Sequence, residues 1–206
     1  MKTFTTKEEL IAEWEVNGAC EEGKEFNESC EDLQEILETC PLPFRLWRLK
    51  RGYIQFAEHC PWEQLYGLNW KNLLIAQPQY AEHCDFSKLN GYHWAKLLGR
   101  QPQFAERCDW WKLNGYDWAL LLRDQPRFAE HCDWEKLDGG DWALLLRDQP
   151  RFAEHCDWKK LDGSDWVCLL SAQSQFADKC DWGKLDEDDW NYLLYHWPKF
   201  KKFRKH

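Results

Sequence analysis

A 24-residue period governs this chain. Residues 109–132, DWWKLNGYDWALLLRDQPRFAEHC, run directly into 133–156, DWEKLDGGDWALLLRDQPRFAEHC, and the two segments agree at 21 of 24 positions. The same frame fits 61–84, 85–108 and 157–180, and more loosely 181–204. Cys60, Cys84, Cys108, Cys132, Cys156 and Cys180 mark it with a spacing of 24 and no insertion. A fixed period of this size means stacked supersecondary units, each too small to bury its apolar face without a neighbour. The length of 206 residues therefore counts copies rather than ordinary domains.

Positions within a copy are numbered here with the cysteine at 24. Position 6 is Asn or Asp in five of the six copies, and position 7 is Gly in all but the last. In the central copy Asp138 is a helix N-cap, and Asp141 adds negative charge at the positive helix end. The helix runs through Trp142, Leu145 and Leu146 and stops near Gln149, because Pro150 lacks a donor and disfavours helix before it. Pro150 suits the first turn of a second short helix, PRFAEHC. Asp157 then caps a further turn over DWKKL. On a helical wheel positions 10, 13, 14 and 17, which hold Trp, Leu, Leu and Gln, share an arc of about 100°. Positions 20, 21 and 24 share a face of the second helix, with positions 2 and 5 filling between. No alternating β pattern occurs. The expectation is an all-α, right-handed α-solenoid of 24-residue repeats, two short helices plus a turn each.

Residues 1–52 depart from the frame and predict a helical N-terminal cap module. Thr6 and Glu9 form a capping box ahead of a helix that Asn17-Gly18 stops. A second short helix is expected over 21–28. Ser29 is expected to cap a third, over 31–39, which Pro41 and Pro43 end, and 44–50 forms another turn or two. The repeat array spans 53–204, with 181–204 as a degenerate C-terminal cap. There Lys201, Lys202 and Arg204 replace the Ala, Glu and Cys of positions 21, 22 and 24. A Lys where Ala otherwise recurs fits only if no further copy packs on it.

The pattern FAxxCDWxKLxGxDWxxLLxxQP resembles a tryptophan-rich 24-residue repeat of uncharacterised proteins from gut-type bacteria and their prophages. Residues 61–195 carry it. The stretch NGACEEGKEFNESCEDLQEILETCP is similar to a module that often precedes such repeats, with Phe26 where a tryptophan is usual. Those families have no established activity, so the resemblance implies a fold and a genomic setting only. The leucine-rich variant repeat shares the period but not the residues.

The formal charge is −9, and the last eight residues, KFKKFRKH, carry five Lys or Arg and no acid. Without them 22 basic residues face 36 acidic ones, a net −14. Such a body repels phosphate backbones, leaving the basic tail as the one segment suited to RNA or an anionic surface. No signal-peptide h-region follows Met1 and no apolar run approaches a membrane span. Ten cysteines without a secretory signal imply reduced thiols in a cytoplasmic protein. The cysteine ladder, with His59, His83, His131 and His155 beside it, invites a metal reading. Successive thiols are one solenoid step apart, too far for shared ligation or a disulfide, and position 23 is also Arg107 and Lys179. Packing thiols are the expectation, with no metal and no cofactor. The recurring carboxylates imply caps and solvated faces rather than one catalytic pair, and no GxSxG, phosphate loop, HExxH or CxxC occurs.

The helix face opposite the core stripe, positions 8, 12 and 15, varies between copies while the core barely changes. A fixed scaffold with a varied face suits binding. The leading expectation is a non-catalytic protein–protein interaction array gripping its partner through Tyr92, Tyr116, Leu120, Arg123, Leu144 and Arg147. The alternatives are a phage or mobile-element inhibitor of a host defence nuclease, whose acidic surface mimics nucleic acid, and an enzyme with its site in the N-terminal module.

Overall fold

Local signals that recur in most copies set the backbone. The computed structural model describes residues 2–18 and 20–204, so Lys205 and His206 of the basic tail lie outside the described residues. In the central copy α8 (Gly139–Asp148) starts at Asp138, whose carboxylate accepts from Asp141 N at 2.9 Å. Asp141 accepts in return from Asp138 N at 3.2 Å, a reciprocal box that satisfies two orphan donors. Gln149 is extended, and Pro150 opens a second helical piece, Pro150–His155. That piece is 3-10 rather than α. Phe152 N bonds to Gln149 O and Cys156 N to Ala153 O, the i→i−3 pattern to which so short a segment tightens. A three-residue 3-10 turn, Trp158–Lys160, opens the next copy, with Asp157 accepting from Lys159 N. Each copy is thus one α-helix and two 3-10 pieces.

The fold is an all-α solenoid. The chain divides into two compact units, Met1–Leu89 and Asn90–His206. In the second, α6 (Gly91–Arg100) packs on α7 (Gly115–Asp124), α7 on α8, α8 on α9 (Gly163–Ala172), and α9 on α10 (Glu187–His196). Positions 5, 10, 13, 14 and 20 form the core, and Trp94, Trp118, Trp142 and Trp166 are completely enclosed. The indole Nε1 atoms of Trp118, Trp142 and Trp166 have no acceptor. An unpaired buried donor costs about 1–3 kcal/mol, against about 3–5 kcal/mol for emptying a buried Trp site, so burial of the ring decides. Position 17 behaves differently from the wheel's expectation. Gln149 is only half-buried, because it lies at the helix end and turns its amide onto the preceding copy.

Three contacts recur between successive copies. The position 17 amide donates to the carbonyl of position 15: Gln125 to Gly99, Gln149 to Arg123 and Gln173 to Arg147, at 2.8–3.1 Å. The position 4 ammonium donates to the carbonyls of positions 3 and 5: Lys136 to Trp111 and Leu113, Lys160 to Glu135 and Leu137. The third contact explains the glycine at position 7. A Cβ on Gly139 would overlap Asp165 Oδ2 and the Lys160 carbonyl of the following copy, and Gly91, Gly115 and Gly163 meet the same obstacle. In the last copy this position is Glu187, which instead pairs with Arg204 at 2.6 Å.

In the first unit α1 (Lys7–Asn17), α2 (Glu21–Ser29), α3 (Leu33–Thr39) and α4 (Leu42–Lys50) precede the copy 61–84, whose α5 (Gly67–Ala76) packs on α4. Thr6 caps α1, and Gly18, at φ 68°, supplies its left-handed stop. Two expectations need correction. Asp32, not Ser29, caps α3, because α2 runs on through Ser29 and occupies it as a helical residue. Pro43 sits inside the first turn of α4 rather than ending anything, since a proline there forfeits no helical donor. Among the described residues the one β-type pairing is an isolated bridge between Lys2 and Tyr53.

Chemical denaturation tests these assignments. Trp142→Ala should cost about 3–5 kcal/mol, and Arg147→Ala, whose half-exposed side chain meets Asp148 and Cys168, under about 0.5 kcal/mol. Gly139→Ala should cost about 1–3 kcal/mol through overpacking, whereas Glu187→Ala, which removes a surface ion pair with Arg204, should lose under about 1 kcal/mol. Equal losses at Gly139 and Glu187 would refute the close-approach explanation.

Candidate interaction face

The ladder residues are used for packing. In the copies 61–84, 109–132, 133–156 and 181–204 the position 2 indole is sandwiched between two rings. Trp134 stacks on Trp142 at 5.5 Å and 14°, and on His155 at 4.4 Å and 5°. Trp110 does the same with Trp118 and His131, and Trp62 with Trp70 and His83. In the last copy Phe203 takes the histidine's place over Trp182. The histidines are therefore flat against tryptophan. All ten cysteines are free thiols. Burial, then the negative charge of the following Asp, pushes Cys108, Cys132, Cys156 and Cys180 up to about 12, which leaves them protonated and unreactive. Among the described residues no cluster of three or more His, Cys, Asp or Glu is placed to hold a metal.

The recurring acid pairs are spent as caps. Asp141 is buried against Gly115 of the preceding copy. Burial pushes its carboxyl up to about 6, opposed by the hydrogen bond from Asp138 N. Asp117 and Asp165 are raised for the same first reason.

The outer column divides sharply. Tyr92 and Tyr116 stand in the first helical turn and are 42% and 51% exposed. Leu120, expected beside them, is only 5% exposed, and Leu144 is half-buried. The reason is that α7 lies between α6 and α8, so packing on both flanks closes over mid-helix positions even opposite the core stripe. Leu120 is corrected from contact residue to core. Arg123 and Arg147 are half-buried, each turned onto the acid that follows it, Asp124 at 3.0 Å and Asp148 at 3.2 Å.

The residue that sequence reasoning missed is Trp111, which is 73% exposed. It occupies position 3, where other copies hold Glu63, Ser87, Glu135, Lys159 and Gly183. That departure of one copy from its siblings was the available signal. Its Nε1 donates to Asp109 Oδ1 at 2.9 Å, and its carbonyl accepts from Lys136. Gly91 abuts the Lys112 carbonyl and Leu113 Cα, which sets Tyr92 beside the turn carrying Trp111. Tyr116 follows on the same copy. Three exposed rings therefore line the N-terminal edge of α6 and α7, with exposed Asp133, Glu135 and Asp138 beyond them. The opposite helix ends carry Arg100, Arg127 and Arg151. This polarity complements the helix dipoles. A second exposed pair, Tyr192 and Tyr195, lies on α10. No family model matches the sequence, and no curated protein or solved structure matches it.

The raised carboxyl has a measurable sign. Between the unfolded value near 3.8 and about 6 the folded state holds the extra proton, so the Asp141 contribution to stability falls as pH rises through that window. Asn at this position keeps an acceptor for Asp138 N without the charge. The stability of Asp141→Asn relative to wild type should therefore rise from about pH 4 and level off above about pH 7, as read by urea titrations across that range. A pH-independent difference would contradict the assignment.

Proposed function

We propose that the chain is a non-catalytic interaction protein that grips another protein through the aromatic edge formed by Tyr92, Trp111 and Tyr116. The observation that carries this reading is Trp111, a large apolar ring left in solvent where its siblings are small or charged. Exposed indole and phenol rings supply contact area at little entropic cost and are the commonest interface anchors. Trp111 is also held in place by Asp109, so little order is lost on binding. The acids on the same edge favour a partner surface bearing Lys or Arg. Arg123 and Arg147 lie toward the other helix ends and serve such a partner at most as rim contacts. The use of the paired carboxylates as helix caps supports a non-catalytic reading.

One observation favours a second reading, in which an acidic surface substitutes for nucleic acid. Exposed Asp recurs at positions 1 and 6 along Asp133, Asp138, Asp157, Asp162, Asp181 and Asp186. Salt dependence separates the two, because a charge mimic loses affinity steeply with ionic strength and an aromatic anchor does not.

The test is to measure one captured partner against wild type, Trp111→Ala plus Tyr116→Ala, and Tyr195→Ala, with folding checked by circular dichroism. The double variant should lose at least about 30-fold in affinity, the size of one hot-spot residue, and Tyr195→Ala should bind as wild type. A folded double variant with full affinity, falling steeply from low to high salt, would transfer the site to the acidic edge.

A further inference from the structure

The copy 181–204 departs from its siblings along one side. There Tyr192, Tyr195, His196 and Trp197 occupy positions 12, 15, 16 and 17, where the copy 133–156 holds Leu144, Arg147, Asp148 and Gln149. Tyr192 and Tyr195 are 54% and 82% exposed, and His196 is exposed beside them. The four rings form one cluster with His196 at its hub: Tyr192 lies 4.6 Å from it, Tyr195 edge-on at 4.8 Å and Trp197 at 5.4 Å, between centroids. The neighbouring α9 holds Cys168 and Ser171 at positions 12 and 15, short side chains that leave the tyrosines open.

Charge changes in the same place. The 3-10 segment Pro198–Phe203 packs on α10 and begins one residue after Trp197. Within it Lys199, Lys201 and Lys202 stand where the copy 133–156 holds Arg151, Ala153 and Glu154. All three lysines are exposed. Among the described residues none of them is ion-paired, whereas Arg204 is paired with Glu187. The basic run starts beside the rings and continues over the next 6 Å or so, at about 2 Å per 3-10 residue. One acid, Asp178 of the preceding copy, borders the groove that Lys199 and Lys202 line. The acids that open α10 lie at least seven residues before His196. That is about 10 Å along the helix, beyond a screening length of about 8 Å.

We propose that this patch binds single-stranded nucleic acid, with unpaired bases stacking on Tyr192 and Tyr195 and the backbone phosphates drawn to Lys199, Lys201 and Lys202. Every base has a π-face, and open rings beside a basic stripe hold a single strand without reading its sequence. Two other partners fit the composition less well. Lysine is depleted from protein interfaces, whereas neutralising phosphate is its ordinary use on nucleic acid. A membrane surface needs apolar side chains that reach lipid. The two phenylalanines of the basic run turn inward instead: Phe200 is 2% exposed, and Phe203 stacks on Trp182 at 4.4 Å. A duplex is disfavoured too, because its bases already stack on one another.

Fluorescence anisotropy of the full chain tests the patch, with labelled oligo(dT) and oligo(U) of roughly eight nucleotides, a duplex of the same length and phosphatidylserine vesicles as the competing ligands. The single strands should bind at low salt, at least about fivefold more tightly than the duplex. Three phosphate contacts predict a slope of about −2 in log affinity against log salt. Tyr195→Ala, at a side chain too exposed to matter for folding, should lose at least about fivefold, the size of one stacked base. Lys199→Ala plus Lys202→Ala should flatten the salt slope to about −0.7. Trp111→Ala plus Tyr116→Ala should bind the strands as wild type, which separates this patch from the aromatic edge of α6 and α7. No binding of either oligonucleotide at low salt would overturn the proposal. Equal affinity for duplex and single strand, or full affinity in Tyr195→Ala, would reduce the patch to a plain polyanion contact and overturn it as well. Tighter binding to the vesicles than to the strands, lost in Tyr195→Ala, would assign the patch to a membrane surface instead.

Discussion

Close approach between successive copies is the constraint on which the array depends. The glycine at position 7 brings the start of one helix onto the following copy, against an Asp side chain and a lysine carbonyl. At that distance the position 4 lysine reaches back to two carbonyls and the position 17 glutamine to a third. These bonds go to backbone, so side chains on the outer surface can change without loosening the stack. Remove the glycine and the copies must separate, and the Lys and Gln bonds lengthen together. The last copy shows the same rule from the other side. There Glu187 occupies the glycine site and is held by Arg204.

The tryptophans solve a different problem. A 24-residue copy is too small to enclose a core, and its second helical piece is only six residues long. The stack of Trp142, Trp134 and His155 ties the α-helix, the entering 3-10 turn and the leaving 3-10 helix together within one copy. Stacking geometry tolerates His or Phe at the outer layer, because the contact is with a flat face rather than a shaped pocket. The same ladder of His and Cys that resembles a metal site is thereby committed to packing.

The N-terminal unit has another internal chemistry. Its interior holds arginines, an asparagine and the thiols of Cys30, Cys40 and Cys60, and Arg48 is enclosed by Trp14 and Phe56. The array, in contrast, keeps its charges near the helix ends, with capping acids at the start, where the backbone dipoles favour them, and the pairs Arg123–Asp124 and Arg147–Asp148 at the finish. Aromatic exposure differs from copy to copy, so binding capacity on this scaffold is a matter of which copy departs from the pattern. Trp111 is that departure.

The all-α class, the copy boundaries, the capping Asp138 and the buried Trp142 were legible in the sequence, because each follows from local spacing that a 24-residue frame repeats. The aromatic edge was legible in part: Tyr92 and Tyr116 lie on the varied column, but Trp111 lies outside it. A helical wheel sorts residues around one helix and carries no information about neighbours on both flanks. That is why Leu120 belonged to the outer face on the wheel and is buried between helices, and why Gln149 belonged to the core and instead bonds to the copy before it. The 3-10 winding of PRFAEH and the meaning of the position 7 glycine were settled likewise by what packs against them. The sequence by itself determined periodicity, caps and core composition, which are local. Only the tertiary structure decided which surface remains open, because that depends on the distance between copies, and a glycine sets that distance only once the next copy is in place.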